Sequence, residues 1–345
     1  MNLRRFIEKN KTIQVFLWWL RSMSIVLHLS KPVGHAASSL RWIFFQLVLF
    51  LPTILGGVIL TAWGLFKCKR INEKDKKLQF EYELTIIAIA KNEGSYLKEW
   101  IEYHRLLGVE RIVLYDNEST DETKAVIAEY IKMGLIDYHF VSGKAQQVKV
   151  YSEAIKRYKY KTRYIGFLDI DEFVVVKNEN KIVPCLNEIM SKNLSGGGVC
   201  IPWYNYGTSF YKTRPKGLVI ENFTKRAPYG FIPLIKTFGN PRLMKCCVNP
   251  HVPVYLYGTC NIDERGMKNR LTKSVNPFTP QLIHINHYYT KSEEEYWEKI
   301  NRGLADGYGK RKNAEEVFKI RNRNDIDDKS LLLYVKKMKN ILGLI

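Results

Sequence analysis

The 345-residue sequence lacks the motifs that mark several large enzyme classes. No glycine-rich dinucleotide or Walker loop follows a predicted strand, which removes the standard nicotinamide and ATP sites. The HExxH, HxE…PCxxC and GxSxG patterns are also missing, so zinc hydrolases, deaminases and serine hydrolases lose support. The six cysteines form no CxxC pair. This argues against structural zinc and a disulfide scaffold, and favours a reducing compartment.

Acidic residues are scarce in the first quarter of the chain. The whole sequence has 54 Lys and Arg against 34 Asp and Glu, a net charge of +20. Residues 1–80 hold 13 basic and three acidic residues, and so carry half of that excess. A charge of this sign favours an anionic partner, such as nucleic acid, acidic lipid or a phosphorylated substrate.

An uncharged, largely apolar run at 42–66 is flanked by basic residues. Its length suffices to cross a bilayer, so residues 1–80 are predicted to be a membrane-anchoring segment and linker. A transmembrane helix, a re-entrant hairpin broken at Pro52 and a buried helix of a soluble domain remain open. Upstream, 12–30 favours an interfacial amphipathic helix.

The basic residues that directly follow this run predict a catalytic part on the cytoplasmic face of the membrane. No small-residue cleavage site follows the run, which argues against a signal peptide. The lack of a lumenal-type signal anchor near residue 1 favours a bacterial inner membrane.

Beyond residue 80, short β-branched apolar runs alternate with helical spacing. Strands are predicted at 84–90, 111–115, 136–141 and 164–168. Helices are predicted at 91–107, 122–130 and 148–158. This alternation predicts an α/β fold with a mostly parallel sheet, whose ligand lies beyond the carboxyl ends of the strands.

Polar residues follow those predicted strands. Asn92 and Glu93 come after the first strand, Asp116 after the second, and Asp169 and Asp171 after the fourth. Asp116 is placed to accept a hydrogen bond from a ribose hydroxyl or a base edge. The two later aspartates alternate along an extended chain and so face the same side. Two such carboxylates make a hard-oxygen site for Mg²⁺ or Mn²⁺, shared with substrate phosphates.

The order of these segments carries a resemblance. The chain has IAIAKNEGSYLKEWIEYHRLLGVERIVLYDNESTDET at 87–123 and YIGFLDIDEFVVV at 164–176, followed by GLVIENFTKR at 217–226, Asn249-Pro250-His251 and HYYTKS at 287–292. Over about residues 84–305 the series resembles the glycosyltransferase family 2-like group and, within it, glycosyltransferase family 92.

The resemblance implies a GT-A fold for residues 81–305, between the segment 1–80 and a basic helical extension at 306–345. It implies a nucleotide-sugar donor, taken here as a UDP- or GDP-sugar, a Mn²⁺ or Mg²⁺ cofactor, and inversion at the anomeric carbon. The acceptor is expected to be a glycan or a lipid-linked sugar in cell-surface polysaccharide synthesis.

By position in the family pattern, Asn92, Glu93 and Asp116 would contact the nucleoside of the donor. Asp169 and Asp171 would hold the metal and the diphosphate, with Asp171 the more direct ligand. Each of these roles rests on the resemblance.

A downstream histidine would complete the metal site, and His251 and His287 both match family motifs. Lys291 is a candidate partner of the diphosphate. The acid-rich run that follows it also suits a helix N-terminus, where Ser292 and Glu295 fit a capping box.

An inverting transfer needs a general base that deprotonates the acceptor hydroxyl. Glu221 is the preferred candidate, on a segment expected to be a strand, and Asp263 is the alternative.

Two other functions compete: a nucleotidyl or phosphosugar transferase, and a non-catalytic nucleic-acid- or membrane-binding protein. The first needs a phosphate loop rich in glycine, and 91–100 has one glycine. Charge beside an apolar run favours lipid headgroups over nucleic acid.

Overall fold

A computed structural model describes residues 39–177, 181–269, 274, 278–302 and 313–345, with side chains from residue 55 onward. The chain divides into two compact units, 1–58 and 59–345. The second unit contains every residue of the candidate site. The predicted interfacial helix at 12–30 lies outside the described residues.

The helices of the described residues follow in chain order: α1 Ser39–Asp75, α2 Gly94–Leu106, α3 Thr123–Lys132, α4 Gln147–Tyr158, α5 Ile182–Ser191, α6 Val219–Asn222, α7 Glu293–Arg302, α8 Ala314–Arg321 and α9 Leu332–Ile341. The strands are β1 Tyr82–Ala90, β2 Arg111–Asp116, β3 Ile136–Phe140, β4 Thr162–Phe167, β5 Glu172–Val176, β6 Gly196–Asn205, β7 Lys225–Arg226, β8 Ile235–Gly239, β9 Met244–Cys247, β10 Pro253–Tyr255, β11 Cys260–Ile262, β12 Lys268–Asn269, β13 Ile283–His287 and β14 Ile326–Asp327.

The main sheet has the order β12-β11-β6-β8-β4-β1-β2-β3, with β13 paired to β6 and β5. Strands β4, β1, β2 and β3 are mutually parallel. The predicted α/β fold with a mostly parallel sheet is therefore confirmed. Strand β8 runs antiparallel between β4 and β6, which leaves β6 parallel to β4.

Strand β1 shows why its run is continuously apolar. Leu84, Ile86 and Ala88 belong to one buried core, and Ile87 and Ile89 belong to a second core on the other side of the sheet. Successive side chains of a strand point to opposite faces, so a strand covered by helices on both faces has no polar side. The sheet is a middle layer between two helical layers.

Helix α1 covers the whole run at 42–66. Pro52 lies inside this helix without ending it, so the helix continues through the point at which the re-entrant alternative would turn back. Within the part of the chain that the structure describes, no helix has the length and apolar character needed to cross a membrane. The predicted transmembrane helix therefore has no support in the described residues.

The carboxyl-terminal end of α1 is bound to the sheet by a buried ion pair. Arg242 Nε donates to Asp75 Oδ2 at 2.8 Å, and Asn240 donates to the same oxygen at 2.6 Å. The side chains of Asp75 and Arg242 are 10% and 4% exposed. Buried charges of this kind need their partner, so the pair fixes the end of α1.

We expect Asp75→Asn to lower the free energy of unfolding by about 2 kcal/mol, because Arg242 loses its buried counter-charge. Urea denaturation followed by circular dichroism measures this change. Glu73→Gln removes an exposed pair with Lys76 on the same helix and is the matched control, with no measurable change expected. Equal midpoints for the two variants would contradict the assigned role of Asp75.

One predicted element has the wrong type. The segment that carries Glu221 was expected to be a strand, but it forms the short helix α6. The reason is a buried carboxylate on α2: Glu99 accepts the backbone N–H groups of Val219 and Ile220 at 2.8 and 3.1 Å. The first N–H groups of a helix have no acceptor within the helix. Glu99 accepts two of them and so stabilises this turn.

The last part of the chain packs on this region. Strand β14 pairs with β7, and α9 packs against α2 and α6. Met338 is the buried residue of α9, while Leu333 on the same helix is largely exposed. Residues 326–341 therefore complete the fold around α6.

Candidate active site

The site lies at the carboxyl edge of the sheet. The registers of the parallel strands place Ala90 beside Asp116 and Ile87 beside Phe167, so the segments after β1, β2 and β4 emerge at one edge. Strand β13 runs parallel to β6 and ends there with His287, which pairs with Asn205. The carboxyl edge of parallel strands is where ligands bind in such sheets.

Asp169 is partly exposed, with 34% of its side chain accessible. Gln147, the first residue of α4, donates to its Oδ1 at 2.8 Å. Lys236 on β8 donates to its Oδ2 at 2.8 Å. Both carboxylate oxygens are therefore held, and the negative charge of Asp169 is compensated from within the sheet.

Lys236 is a charged residue in the middle of the sheet. Its side chain is fully buried, and Nζ also lies 3.5 Å from Glu172 Oε2. Burial would lower the pKa of Lys236, but Asp169 and Glu172 outweigh it and raise the pKa above its ordinary value. Burial raises the pKa of Glu172 well above its ordinary value, in spite of Lys236. Lys236 therefore bridges the carboxyl groups of Asp169 and Glu172.

Asp171 is buried and has different partners. Lys299 on α7 donates to its Oδ2 at 2.5 Å, and His287 Nε2 lies 3.6 Å from the same oxygen. Burial alone would raise the pKa of Asp171, but Lys299 and His287 hold it well below its ordinary value. Asp171 is therefore an anion that fixes the ammonium group of Lys299.

The two candidate histidines both contact one indole ring. The Trp203 ring centroid is 4.0 Å from that of His287 and 5.3 Å from that of His251. His251 Nδ1 bonds to the Ile235 carbonyl at 2.7 Å, so Nδ1 carries the proton. Burial lowers the pKa of His251 to about 4 and also lowers the pKa of His287. Both rings are therefore neutral near pH 7.

A cavity of about 200 Å³ opens between β1, α2 and α7. Lys291 lies in its wall in the left-handed backbone region, with a φ of 49°. Its Nζ is 3.7 Å from Glu93 Oε2 and 3.3 Å from the Tyr96 ring centroid. Arg302 also pairs with Glu93. Burial lowers the pKa of Lys291, against the raising effect of Glu93 and Asp171.

The predicted nucleoside-binding residues connect the loops after β1 and β2. Asn92 Oδ1 accepts the Thr120 N–H at 2.7 Å, and Asp116 accepts Ser119 N–H and Tyr138 O–H, both at 2.9 Å. Asn92 lines the cavity, as does Glu93, whereas Asp116 is not part of its lining. A contact of these three residues with a nucleoside stays a prediction.

In the described residues, no group of three or more His, Cys, Asp and Glu side chains is arranged to hold a metal ion. Instead, each aspartate forms an ion pair with the ammonium group of a lysine, Asp169 with Lys236 and Asp171 with Lys299. As they stand, the four predicted metal ligands do not fit a divalent cation. The Mn²⁺ or Mg²⁺ cofactor stays a prediction.

The two candidate bases lie away from the lining of the cavity. Glu221 is 31% exposed and pairs with Lys339 of α9 at 2.5 Å. Asp263 is buried beyond the end of β11, where it accepts the Arg265 and Met267 N–H groups at 2.9 and 3.0 Å. These bonds give Asp263 a structural role in its loop. The assignment of the general base stays a prediction.

Four cationic residues of the site were not predicted from the sequence: Lys236, Arg214, Lys299 and Arg302. Lys236 had a visible signal, because it interrupts the apolar run at 231–238. A lysine in a buried strand needs an anionic partner. Lys299 and Arg302 had no such signal, since basic residues in the last turn of an exposed helix are ordinary.

The comparisons with known proteins identify the enzyme class. Residues 87–329 match the family model of glycosyltransferase family 92, which spans all of the site. The chain belongs to glycosyltransferase family 92.

Among its relatives, a family 92 protein of Arabidopsis thaliana is 36% identical over 170 residues, 45% of this chain and 28% of that protein. A family 92 protein of Oryza sativa subsp. japonica is 28% identical over 229 residues, 65% of this chain and 36% of that protein. The chain thus matches about a third of the length of these relatives. Among solved structures, Staphylococcus aureus TarS 1–349 in complex with UDP has 14% identity and a TM-score of 0.32, with 47% of each chain covered.

Proposed function

We propose that the chain transfers a sugar from a nucleotide-sugar donor to a hydroxyl group of a glycan or lipid-linked acceptor. The observation that carries this proposal is the charge of the cavity at the carboxyl edge, in a chain of family 92. Four cationic side chains line it against three acidic ones, Glu93, Glu295 and Glu298; the cationic residues are Arg214, Lys291, Lys299 and Arg302. At about 200 Å³ the cavity is smaller than most ligand pockets, so it suits a diphosphate with the rest of the donor outside.

The cations supply what the departing diphosphate needs. Negative charge builds up on the leaving oxygen as the bond to the sugar breaks, and fixed positive groups stabilise that charge. Lys291 is buried and held by Glu93, and Lys299 is held by Asp171. Both ammonium groups are therefore in position before the donor binds, which lowers the cost of reorganisation.

Inversion requires one displacement, with a base opposite the leaving group. Glu221 is proposed as this base, and Asp263 is the alternative. Support for Glu221 comes from its exposure, since a base must reach the acceptor, and from its place on α6 next to Glu99. Its pair with Lys339 gives an equally direct structural role, which the next experiment separates.

We expect Glu221→Gln to reduce turnover by roughly 10²-fold with little change in the KM for the donor, because base catalysis typically contributes this much. Lys339→Met breaks the same ion pair but keeps the carboxylate, so it should retain turnover. Steady-state kinetics and thermal melting of both variants are the measurements. Equal effects of the two variants on melting and turnover would make Glu221 structural and move the role to Asp263.

The donor and the cofactor are tested in one assay. Purified protein is incubated with UDP-, GDP- and CDP-sugars, and release of the nucleoside diphosphate is measured. Parallel samples contain Mn²⁺, Mg²⁺ or EDTA, which tests the predicted divalent cation. Slow hydrolysis of one donor class is the expected result, and no release from any donor in any sample would contradict the proposed transfer.

The first quarter of the chain bears on the location of the enzyme. We propose a cytoplasmic site beside a membrane, as in cell-surface polysaccharide synthesis. The proposal is supported by the basic residues that follow the apolar run in α1. Anionic lipid headgroups attract such residues by about 1 kcal/mol each.

A further inference from the structure

The second half of α1 forms part of the main body. A Cβ atom at Gly64 would lie 1.6 Å from the carbonyl oxygen of Tyr257, so the helix touches the loop between β10 and β11 there. Four residues further on, Cys68 is fully buried and its Sγ donates to the Leu194 carbonyl at 3.3 Å. Together with the ion pair of Asp75, these contacts fix the second half of α1 on the main body.

Around this contact lies a cluster that we call the aromatic–lysine patch: Trp63, Lys67, Lys245 and Tyr257. The rings of Trp63 and Tyr257 are 54% and 55% exposed. Lys67 Nζ lies 4.8 Å from the Trp63 ring centroid, and Lys245 Nζ lies 5.1 Å from that of Tyr257. Two exposed amphipathic rings thus each carry an ammonium group, one from α1 and one from β9.

The patch marks a boundary along α1. Before it the helix exposes large apolar side chains, with Ile59 at 57% and Leu60 at 43% exposed, and Phe66 is 65% exposed within it. Beginning with Lys67 of the patch, basic residues then follow in close succession, at 67, 69, 70, 74, 76 and 77. The order along the helix is therefore apolar residues, then aromatic rings with lysines, then basic residues. The same order is found at a membrane interface, where aromatic rings and lysine side chains meet the headgroups.

The patch and the candidate site lie at opposite ends of the sheet. Near the patch, Cys260 pairs with Gly196, the first residue of β6. At the other end, Asn205 pairs with His287 in the site. Ten residues of strand at about 3.3 Å each separate the two ends by roughly 30 Å.

We propose that the aromatic–lysine patch rests on the headgroup layer of an anionic membrane. The body of the protein then touches the bilayer through Tyr257 and Lys245, and the active-site edge faces away from it. The occupant is a lipid surface because exposed apolar groups and positive charge occur together, which matches acyl chains below anionic headgroups. The arrangement favours an acceptor that extends well beyond the headgroups. The contact with the membrane depends on the patch alone, whereas the preference for such an acceptor also rests on the proposed function.

Hydrogen–deuterium exchange of the full chain tests this contact. The protein is compared in detergent, in vesicles of phosphatidylcholine alone, and in vesicles of phosphatidylcholine with phosphatidylglycerol. We expect slower exchange in peptides covering 59–67 and 245–258 with phosphatidylglycerol vesicles, relative to both other samples. In the double variant Lys245→Glu/Tyr257→Ser, the slowing at 245–258 should be lost.

The matched control is Phe140→Ser/Lys144→Glu. It changes an exposed aromatic residue at the end of β3 and a lysine that follows it, and β3 is the outer strand of the main sheet opposite β12. It should keep the slowing at 245–258. Unchanged exchange at 245–258 in the wild-type protein, equal slowing without phosphatidylglycerol, or slowing at 140–147 instead would each overturn the proposal. Thermal melting in detergent verifies that both double variants are folded, and donor hydrolysis in detergent tests the reaction separately.

Discussion

Asp171→Asn should lower kcat/KM for donor hydrolysis by about 10²- to 10³-fold, the usual effect of removing one fixed electrostatic group from an active site. The substitution keeps the shape of the side chain and removes its charge. Lys299, which Asp171 holds at 2.5 Å, then loses the partner that keeps it beside the cavity. The measurement is release of nucleoside diphosphate from the donor that the wild-type protein hydrolyses.

Asp327→Asn is the control for this variant. Asp327 of β14 pairs with Lys225 on the protein surface, and 59% of the Asp327 side chain is exposed. The activity of Asp327→Asn should therefore equal that of the wild-type protein. Circular dichroism at the assay temperature confirms that both variants are folded. If Asp171→Asn keeps wild-type activity while folded, Asp171 has no part in the reaction and the proposed site is wrong.

The position of the site could be predicted from the sequence because the pattern of the parallel strands is local. The apolar run of β1 has no polar face, so it had to lie in a sheet covered on both sides. Once β1, β2 and β4 were parallel, Glu93, Asp116 and Asp169 had to emerge at the same edge.

The partners of these residues could not be predicted, because they come from elements far away in sequence. Lys236 reaches Asp169 since β8 inserts antiparallel beside β4, and short apolar runs do not specify strand order. Lys299 reaches Asp171 across 128 residues, from a helix for which the sequence predicted only an acid-rich start with a capping box. The expected metal pair thus became two separate lysine–aspartate pairs, and spacing alone cannot distinguish the two arrangements.

The type of α6 was missed for a similar reason. Its four residues are too few to show helical spacing, and GLVIE is rich in β-branched residues, which favour strands. The deciding group is the Glu99 carboxylate, 120 residues before Val219. A tertiary cap of this kind overrides local propensity.

Lys299→Met should lower the free energy of unfolding by about 4 kcal/mol, because it leaves the buried carboxylate of Asp171 without its main counter-charge. The double variant Lys299→Met/Asp171→Asn removes both charges and should recover a large part of that loss. Urea denaturation of the two single variants and the double variant gives the coupling energy directly. Additive losses would mean that the two side chains do not interact.

The pH dependence gives an independent check on the same pair. The pKa of Asp171 is depressed in the folded protein, whereas the unfolded value is about 3.9. Its stabilising contribution is therefore fully present above the unfolded pKa and is lost as the pH falls through the folded pKa. The difference in free energy of unfolding between the wild-type protein and Asp171→Asn should be constant from neutral pH down to about pH 5, and should shrink below about pH 4. A difference that grows as the pH falls from 7 to 6 would point to protonated His287 as the main partner of Asp171 in place of Lys299.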